Sequence, residues 1–193
     1  MRLVLATRNE HKLREFRVLL DPHELVPLPD DVALPPETGD TFEKNARDKA
    51  RAACEATGMP AVADDSGIEA AALGDRPGVR SARYAGDGAS DEENLAKLLA
   101  EVASADGDRR VAYVCALAYA EPRAETRAFI GRCTGELAHE PRGEGGFGYD
   151  PAFVPADRDD GRTMAELSVA EKDAISHRGR AARAFLEWLG DRP

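Results

Sequence analysis

The sequence predicts an α/β fold, and three observations carry this prediction. Short apolar runs such as residues 3–6 and 60–63 end at polar residues, as buried strands do. Segments with apolar residues at helical spacing alternate with these runs. The chain has 193 residues, of which 42% are hydrophobic and 32% charged, enough for one sizeable core beneath a polar surface. We therefore expect one domain, or two lobes sharing one core.

The first strand, residues 3–6, leads through the polar turn 7–12 into a helix. The free N–H groups at the start of this helix would face the turn and favour an anion. Thr7, Asn9 and Lys12 could supply a hydroxyl, an amide and a charge. The turn matches neither a P-loop nor a Rossmann fingerprint. The alternative is that Thr7 or Asn9 only caps the helix.

A second short strand, 24–28, contains a proline and is expected near a sheet edge. A proline-rich loop follows at 29–39. It carries Glu37, which matters only if it faces Asp65.

The next helix, about 41–57, is expected to open with a capping box of Asp40 and Glu43. Asn45 and Lys49 are four residues apart and would share one face of this helix. The alternative is that both lie on an exposed polar flank.

The apolar run 60–63 stops at two adjacent carboxylates, Asp64 and Asp65, followed by Ser66 and Gly67. Side chains alternate along a strand, so both acids can share a target only if the backbone turns, which Ser66-Gly67 would permit. Two carboxylates at a strand end suit Mg²⁺. The alternative is an Asp-rich turn that merely caps the strand.

After the acids, residues 68–73 are expected to form a strand or tight turn, and 76–83 an arginine-rich short helix. Ser90 and Glu93 predict a capping box for a helix reaching about Ala103. A polar connector, 105–110, follows.

Residues 111–120 and 125–136 read as an antiparallel hairpin. The first strand has apolar residues at every second position, which indicates a purely structural role for the hairpin. An oligomer surface on the hairpin is a second possibility.

The glycine-dense loop 140–150 would let the backbone approach a ligand closely. Phe147 or Tyr149 could stack on a flat ring. The alternative is that these aromatic rings fold back onto the core. A short strand at 151–155 and a single helical turn at 163–167 should follow.

Ser168 and Glu171 predict a third capping box, for a short helix carrying Lys172. His177 and Arg178 fall in the first turn of the final helix. Cations are unfavourable there by about 0.3–1 kcal/mol each, so an anionic or carbonyl partner is expected beside Arg178. A lone His177 is otherwise typical of capping or packing.

Composition narrows the class of ligand. Thirty-six acids against 26 bases give a net charge of −10, which argues against a nucleic-acid polymer but allows a small phosphorylated ligand. Five Lys among those bases suggest that lysine is kept where a compact ammonium binds phosphate, although drift would also explain the number.

No apolar run is long enough to span a membrane, and no signal-peptide layout opens the chain. Three dispersed cysteines without a CxxC pair suggest reduced thiols and a cytoplasmic protein.

Five stretches, taken in order, resemble one family. They are LATRNEHKLREF, ETGDTFEKNARDKA, PAVADDSGIEAAALGDRPGVRSARYAG, GGFGYDPAFVP and TMAEL-VAEKDAISHRGRA. The sequence is similar to the inosine triphosphate pyrophosphatase family, the dITP/XTP pyrophosphatases.

The resemblance implies an elongated, two-lobed fold around a long mixed β-sheet, with an active-site cleft between the lobes, usually as a homodimer. It implies Mg²⁺-assisted hydrolysis of ITP, dITP and XTP to the monophosphate and pyrophosphate. This reaction would keep non-standard purines out of DNA and RNA.

Carried over by position, the resemblance makes Asp65 the general base and a metal ligand, with Asp64 and Glu37 in the metal site. Lys12 and Lys49 join Asp65 as catalytic residues. Some relatives have two acids at the Pro36-Glu37 position, which leaves the metal ligand set open. The implied substrate contacts are Thr7, Arg8, Asn9, Glu10, His11, Lys12, Asn45, Ser66, Phe147, Gly148, Tyr149, Asp150, Lys172, His177 and Arg178.

Two alternatives remain at this stage. A Maf-type pyrophosphatase would have a similar fold but would prefer modified pyrimidine nucleotides. A nucleotide sensor would bind without turnover. Lys12, Lys49 and Asp65 together argue against the sensor, because binding alone needs no base.

Overall fold

The computed structural model describes residues 1–105 and 107–192, so Asp106 of the predicted connector and Pro193 lie outside the described residues. The chain forms two compact units. Unit 1 comprises the described residues of Met1–Asp65, Cys115–Gly131 and His177–Pro193, and unit 2 those of Ser66–Val114 and Arg132–Ser176. Three long strands pass from one unit to the other.

The strands form one mixed sheet, which confirms the predicted α/β class. They are β1 (Arg2–Leu5), β2 (Glu24–Pro27), β3 (Ala61–Ala70), β4 (Arg76–Pro77), β5 (Arg110–Ala120), β6 (Arg127–Leu137) and β7 (Phe153–Pro155). The order is β2-β1-β3-β5-β6-β7, with β4 paired to β3. β1 pairs parallel with β2 and β3, whereas β3–β4 and β6–β7 are antiparallel. β2 is an edge strand, as its proline predicted.

The helices lie close to their predicted positions. They are α1 (Glu10–Leu19), α2 (Phe42–Thr57), α3 (Asp91–Ser104), α4 (Val169–Ile175) and α5 (His177–Gly190), with 3₁₀ turns at Ala71–Leu73, Gly78–Arg83, Asp150–Ala152 and Met164–Glu166. The capping boxes predicted for α3 and α4 are present. Within the described residues, no helix has the length and apolar character needed to cross a membrane.

The predicted turn at Ser66-Gly67 is wrong. β3 continues unbroken from Ala61 through both acids to Ala70. Gly67 instead allows Ser81 to pack closely against the strand, because a Cβ at residue 67 would lie 2.3 Å from Oγ of Ser81. The acids therefore obey strand alternation, and their side chains point to opposite faces of the sheet.

The predicted cap of α2 is displaced by one residue. Thr41, not Asp40, is the N-cap, and its hydroxyl accepts the Lys44 N–H at 3.2 Å. Both residues are acceptable caps by type, so the backbone path decided between them. The predicted end is confirmed, since Gly58 adopts a left-handed conformation with φ of 66°.

Each unit has its own apolar core. In unit 1, Leu5 and Val62 from the sheet pack with Phe16 of α1 and Phe185 of α5. The unit 2 core is built around larger rings and aliphatic side chains, including Ile68, Leu98, Tyr113, Phe153 and Met164. The unit 1 core fixes α1 and α5, which carry Lys12 and Arg178 to Asp64.

β5 is buried on both faces rather than one. Every residue from 111 to 120 is buried, including the alanines between the predicted core positions. Small residues let covering elements approach one face while larger side chains fill the other. β5 therefore belongs to the core, and an oligomer surface on the hairpin stays a prediction.

Candidate active site

Asp64 and Asp65 lie on opposite faces of β3 and have different partners. Asp64 meets Lys12 of α1 and Arg178 of α5, whereas Asp65 meets Asn45 and Lys49 of α2. All of these residues belong to unit 1. The strand thus sorts two neighbouring carboxylates into two electrostatic environments.

Asp64 is well neutralised. Its side chain is 1% exposed, with Oδ2 2.8 Å from Nζ of Lys12 and 3.8 Å from Nε of Arg178. Burial alone would raise the pKa of Asp64, but the positive charges of Lys12, Arg178 and Lys49 outweigh it and lower the pKa to about 2. Asp64 is therefore a permanent anion near neutral pH.

Asp65 is less completely neutralised. Its Oδ1 lies 3.8 Å from Nζ of Lys49, and that ammonium is shared with Oε1 of Glu37 at 2.5 Å. Burial raises the pKa of Asp65 to about 6; Lys49 opposes this shift, and the negative charge of Glu37 adds to it. Glu37 was expected to matter only if it faces Asp65. The structure places both acids beside the same Lys49 ammonium.

Asn45 holds Asp65 from the other side. The Nδ2 group of Asn45 donates to Oδ2 of Asp65 at 2.8 Å, while its Oδ1 accepts the Gly39 N–H at 2.8 Å. The backbone donor fixes the amide orientation, because only the oxygen can accept it. Gly39 is required by this approach, since a Cβ there would lie 2.6 Å from Oδ1 of Asn45. The predicted shared face of Asn45 and Lys49 is buried and faces the site.

The turn before α1 is ordered by its own side chains. Asn9 caps α1, accepting the N–H groups of His11 and Lys12 at 2.9 and 3.1 Å. Thr7 accepts the Asn9 N–H at 3.1 Å. Asn9 is therefore the helix cap that the sequence offered, with Thr7 supporting it, and the cap leaves Lys12 placed to reach Asp64.

Three other residues of this turn were predicted to contact the substrate, and their side chains lie elsewhere in unit 1 or in solvent. Arg8 donates to the carbonyl oxygens of Leu28, Pro29 and Val32, and so holds the loop after β2. Glu10 is exposed, and the His11 ring lies 3.2 Å from the Arg14 guanidinium. The structure brings Lys12 to the acids of β3 without placing these three side chains there.

Arg178 has the anionic partner that its position predicted. Its Nη1 lies 3.0 Å from Oε2 of Glu15, and its Nε lies near Asp64. His177 is buried beside Gly131, where a Cβ would lie 2.0 Å from the His177 carbonyl oxygen. Sequence reasoning missed Glu15, although its position one helical turn after Lys12 on α1 was a usable signal.

A second group of predicted residues gathers around Asp150 in unit 2. Nζ of Lys172 donates to Oδ2 of Asp150 at 2.7 Å, and the Tyr113 hydroxyl donates to Oδ1 at 3.0 Å. The Lys172 ammonium also lies 5.2 Å from the ring centre of Phe147. Asp150, Lys172 and Tyr113 are all buried, and Tyr113 was missed because its period-two pattern indicated only core.

Tyr149 and Phe147 differ in their surroundings. The Tyr149 hydroxyl donates to the Ser81 carbonyl at 2.7 Å, its ring is buried, and burial raises the pKa of that hydroxyl. The alternative of a ring folded onto the core therefore describes Tyr149. Phe147 is half-buried, with one face toward Lys172. Ser66 is a half-buried residue of β3 in unit 2, directly after Asp65.

The residues around Lys49 fit a magnesium ion. Across the described chain, no three His, Cys, Asp or Glu side chains are grouped as a metal site. Asp65 and Glu37 nevertheless place two carboxylates around one cationic centre, the Lys49 ammonium. Mg²⁺ typically takes one or two carboxylates and completes its shell with water and phosphate. The structure does not bring the predicted third ligand, Asp64, into this pair.

These features define a mixed α/β protein whose central strand presents acids to lysines from flanking helices. Comparison with known proteins gives the family. Residues 3–188 match the Ham1 family. The chain therefore belongs to the Ham1 family.

Individual relatives agree with this assignment. The "dITP/XTP pyrophosphatase" of Symbiobacterium thermophilum is 52% identical over 191 residues, covering 97% of this chain and 94% of that protein. The solved HAM1 protein from Coxiella burnetii is 43% identical, with a TM-score of 0.90 and full coverage of both chains. A nucleoside-triphosphatase / dITP/XTP pyrophosphatase from Mycobacterium abscessus is 47% identical, with a TM-score of 0.77 over 96% of this chain and 99% of that one.

Proposed function

We propose that this protein hydrolyses ITP, dITP and XTP to the nucleoside monophosphate and pyrophosphate. The observation that carries the proposal is the grouping of Asp65, Lys49 and Glu37, in which a buried carboxylate lies beside a lysine and a second acid. Support also comes from the Symbiobacterium thermophilum relative, which bears the name dITP/XTP pyrophosphatase and is 52% identical.

Asp65 and Glu37 would hold Mg²⁺. When bound, the ion would neutralise charge on the phosphate oxygens and make the attacking water more acidic. The remaining coordination positions would be filled by water and phosphate, as Mg²⁺ prefers. We assign Asp64 a different role, because its carboxylate is already paired with Lys12 and Arg178 on the other face of β3.

Asp65 would accept the proton of the attacking water. Asn45 donates to one of its oxygens and so orients the other. A general base held in this way contributes about 10²–10⁴ in rate. Lys49 supplies positive charge beside the same carboxylate and would stabilise the phosphate charge that develops as the anhydride bond breaks.

Lys12 would bind the triphosphate from the start of α1. Asp64 and the Asn9 cap hold this lysine in place. Thr7, Arg8, Asn9, Glu10 and His11 stay predictions as substrate contacts. The Arg8 side chain is directed by its hydrogen bonds to the loop after β2.

The purine would be read through its 6-keto oxygen, where adenine carries an amino group instead. Lys172, His177 and Arg178 are the predicted donors. A site of buried donors rejects a mismatched partner by up to about 10⁴-fold. Lys172 stands beside Phe147, whose half-buried ring is suited to stacking on a base. The two-lobed domain with a cleft and the homodimer stay predictions from the resemblance, and the cytoplasmic location stays a prediction from the cysteine pattern.

Pyrophosphate release with Mg²⁺ tests the proposal across a substrate panel. We expect ITP, dITP and XTP to be cleaved well above ATP, dUTP and TTP. Higher efficiency with dUTP or TTP than with ITP would favour the Maf-type alternative. Tight ITP binding without pyrophosphate release would favour a sensor.

GTP provides a sharper test of base recognition. We expect a low catalytic efficiency for GTP, because its 2-amino group would meet a steric limit or an unmatched donor. The matched comparison is XTP, which also has a substituent at position 2 but carries oxygen there. Comparable efficiencies for GTP and XTP would contradict this account.

A further inference from the structure

The tip of the glycine-dense loop, residues 147–148, is held through its backbone. The Phe147 N–H donates to Oδ2 of Asp150 at 3.0 Å, and the Gly148 N–H donates to Oδ2 of Asp91 at 2.7 Å. Two consecutive backbone donors are thus bound by two different carboxylates. Hydrogen bonds to an ionised acceptor are stronger than neutral ones, so this pair restrains the tip.

The two carboxylates that restrain the tip come from different parts of the chain. Asp150 is three residues away and belongs to the same loop. Asp91 is 57 residues away and is the first residue of α3. α3 is fixed in the core of unit 2 by Leu98 and Val102. Asp91 therefore connects the loop tip to a rigid helix.

The loop backbone is shaped to receive these carboxylates. Gly148 has φ of 64°, a conformation that favours glycine. At Gly146 a Cβ would lie 2.2 Å from Oδ2 of Asp150. The glycines thus allow close approach of the acids, and the Phe147 ring between them is presented in one orientation beside Lys172.

We propose that Asp91 is a positioning residue for substrate binding: its bond to the Gly148 N–H holds the Phe147 ring where the purine base stacks. This inference rests on the proposed function. Asp91 touches neither the acids of β3 nor the reacting phosphates in this scheme. Its loss should therefore weaken nucleotide binding and leave the chemical step largely intact.

A different role for Asp91 must be separated from this one. Acids in the first turn of a helix stabilise it through the helix dipole, and α3 carries Asp91, Glu92 and Glu93 there. Glu92 shares this effect and is hydrogen-bonded to Ser90 rather than to the loop. Glu92→Ala is therefore a matched control that removes the charge from the same turn.

Steady-state kinetics with ITP and Mg²⁺ provide the first test. For Asp91→Ala we expect KM to rise about tenfold, as for the loss of one hydrogen bond to a charged group, with kcat within about twofold. Glu92→Ala should match the unmodified protein. Asp91→Asn should recover much of the loss, because an amide oxygen can still accept the Gly148 N–H. Both alanine variants lose the favourable charge at the start of α3, and Asp91→Ala alone also loses the bond to the Gly148 N–H.

Amide hydrogen exchange provides a test that is independent of activity. The Gly148 amide should exchange faster in Asp91→Ala than in Glu92→Ala. If the two variants have equal KM values and equal Gly148 exchange, the positioning role is overturned. A fall in kcat at unchanged KM would also overturn it. If the unmodified protein fails to cleave ITP while Gly148 exchange still depends on Asp91, the proposed function fails and the structural restraint stands.

Discussion

Asp64 and Asp65 are neighbours in sequence but differ in almost every physical respect. Asp64 is balanced by Lys12 and Arg178, and its pKa falls to about 2. Asp65 shares one ammonium with Glu37, and its pKa rises to about 6. Both are buried, so burial does not separate them. The two acids differ instead in the number of cations beside them on each face of β3.

The difference shows how one strand can carry a fully compensated carboxylate and an incompletely compensated one side by side. A fully compensated buried anion holds its partners in place but has little tendency to take a proton. An incompletely compensated one is suited to proton transfer or to a metal ion. The comparison therefore predicts that the two acids fail differently when each is neutralised.

The largest effect is expected from Asp65→Asn. Loss of the base should lower kcat for ITP by about 10²–10⁴-fold while the protein stays folded. Pyrophosphate release measures the rate, and calorimetric titration with ITP should still show binding. Near-normal turnover would remove Asp65 from its role and break the comparison.

Asp64→Asn should chiefly affect stability. Neutralising one partner of a buried ion pair removes the carboxylate charge beside Lys12, and it should cost about 3–5 kcal/mol in free energy of unfolding. Urea denaturation measures this value. The matched control is Asp48→Asn, which breaks the exposed Lys44–Asp48 pair and should cost less than about 1 kcal/mol. Equal losses in the two variants would contradict the assignment.

Glu37→Gln should have a smaller effect, confined to the metal. We expect the Mg²⁺ concentration for half-maximal activity to rise by about 10–100-fold, with activity recovering at saturating Mg²⁺. Glu43→Gln removes an exposed acid of α2 that pairs with Arg47 and should leave the Mg²⁺ requirement unchanged. The same Mg²⁺ dependence for both variants would exclude Glu37 as a ligand.

Local sequence rules were successful where a structure is stabilised by nearby residues. The capping boxes at Ser90 and Ser168 and the left-handed Gly58 formed as predicted, because each is completed within one helical turn. The same rules failed at Asp40, where the neighbouring Thr41 is an equally acceptable cap.

The predicted turn after Asp65 failed for a different reason. Ser66 and Gly67 are turn residues by propensity, but the position of β3 inside the sheet and the packing of Gly67 against Ser81 keep the chain extended. Such long-range pairing overrides local preference. The error changed the expected geometry, because a turn would have let both acids share a target, whereas the strand directs them to opposite faces of the sheet.

The sequence by itself determined the α/β class and the order of the elements, because apolar periodicity and short motifs are local features of the chain. It also predicted the acids and lysines that the structure brings together in unit 1. Only the tertiary structure decided which acid faces which lysine, and that Glu15, Tyr113 and Asp91 support the predicted residues. Those contacts join residues far apart in the chain. They depend on strand alternation and helix packing, which no local pattern specifies.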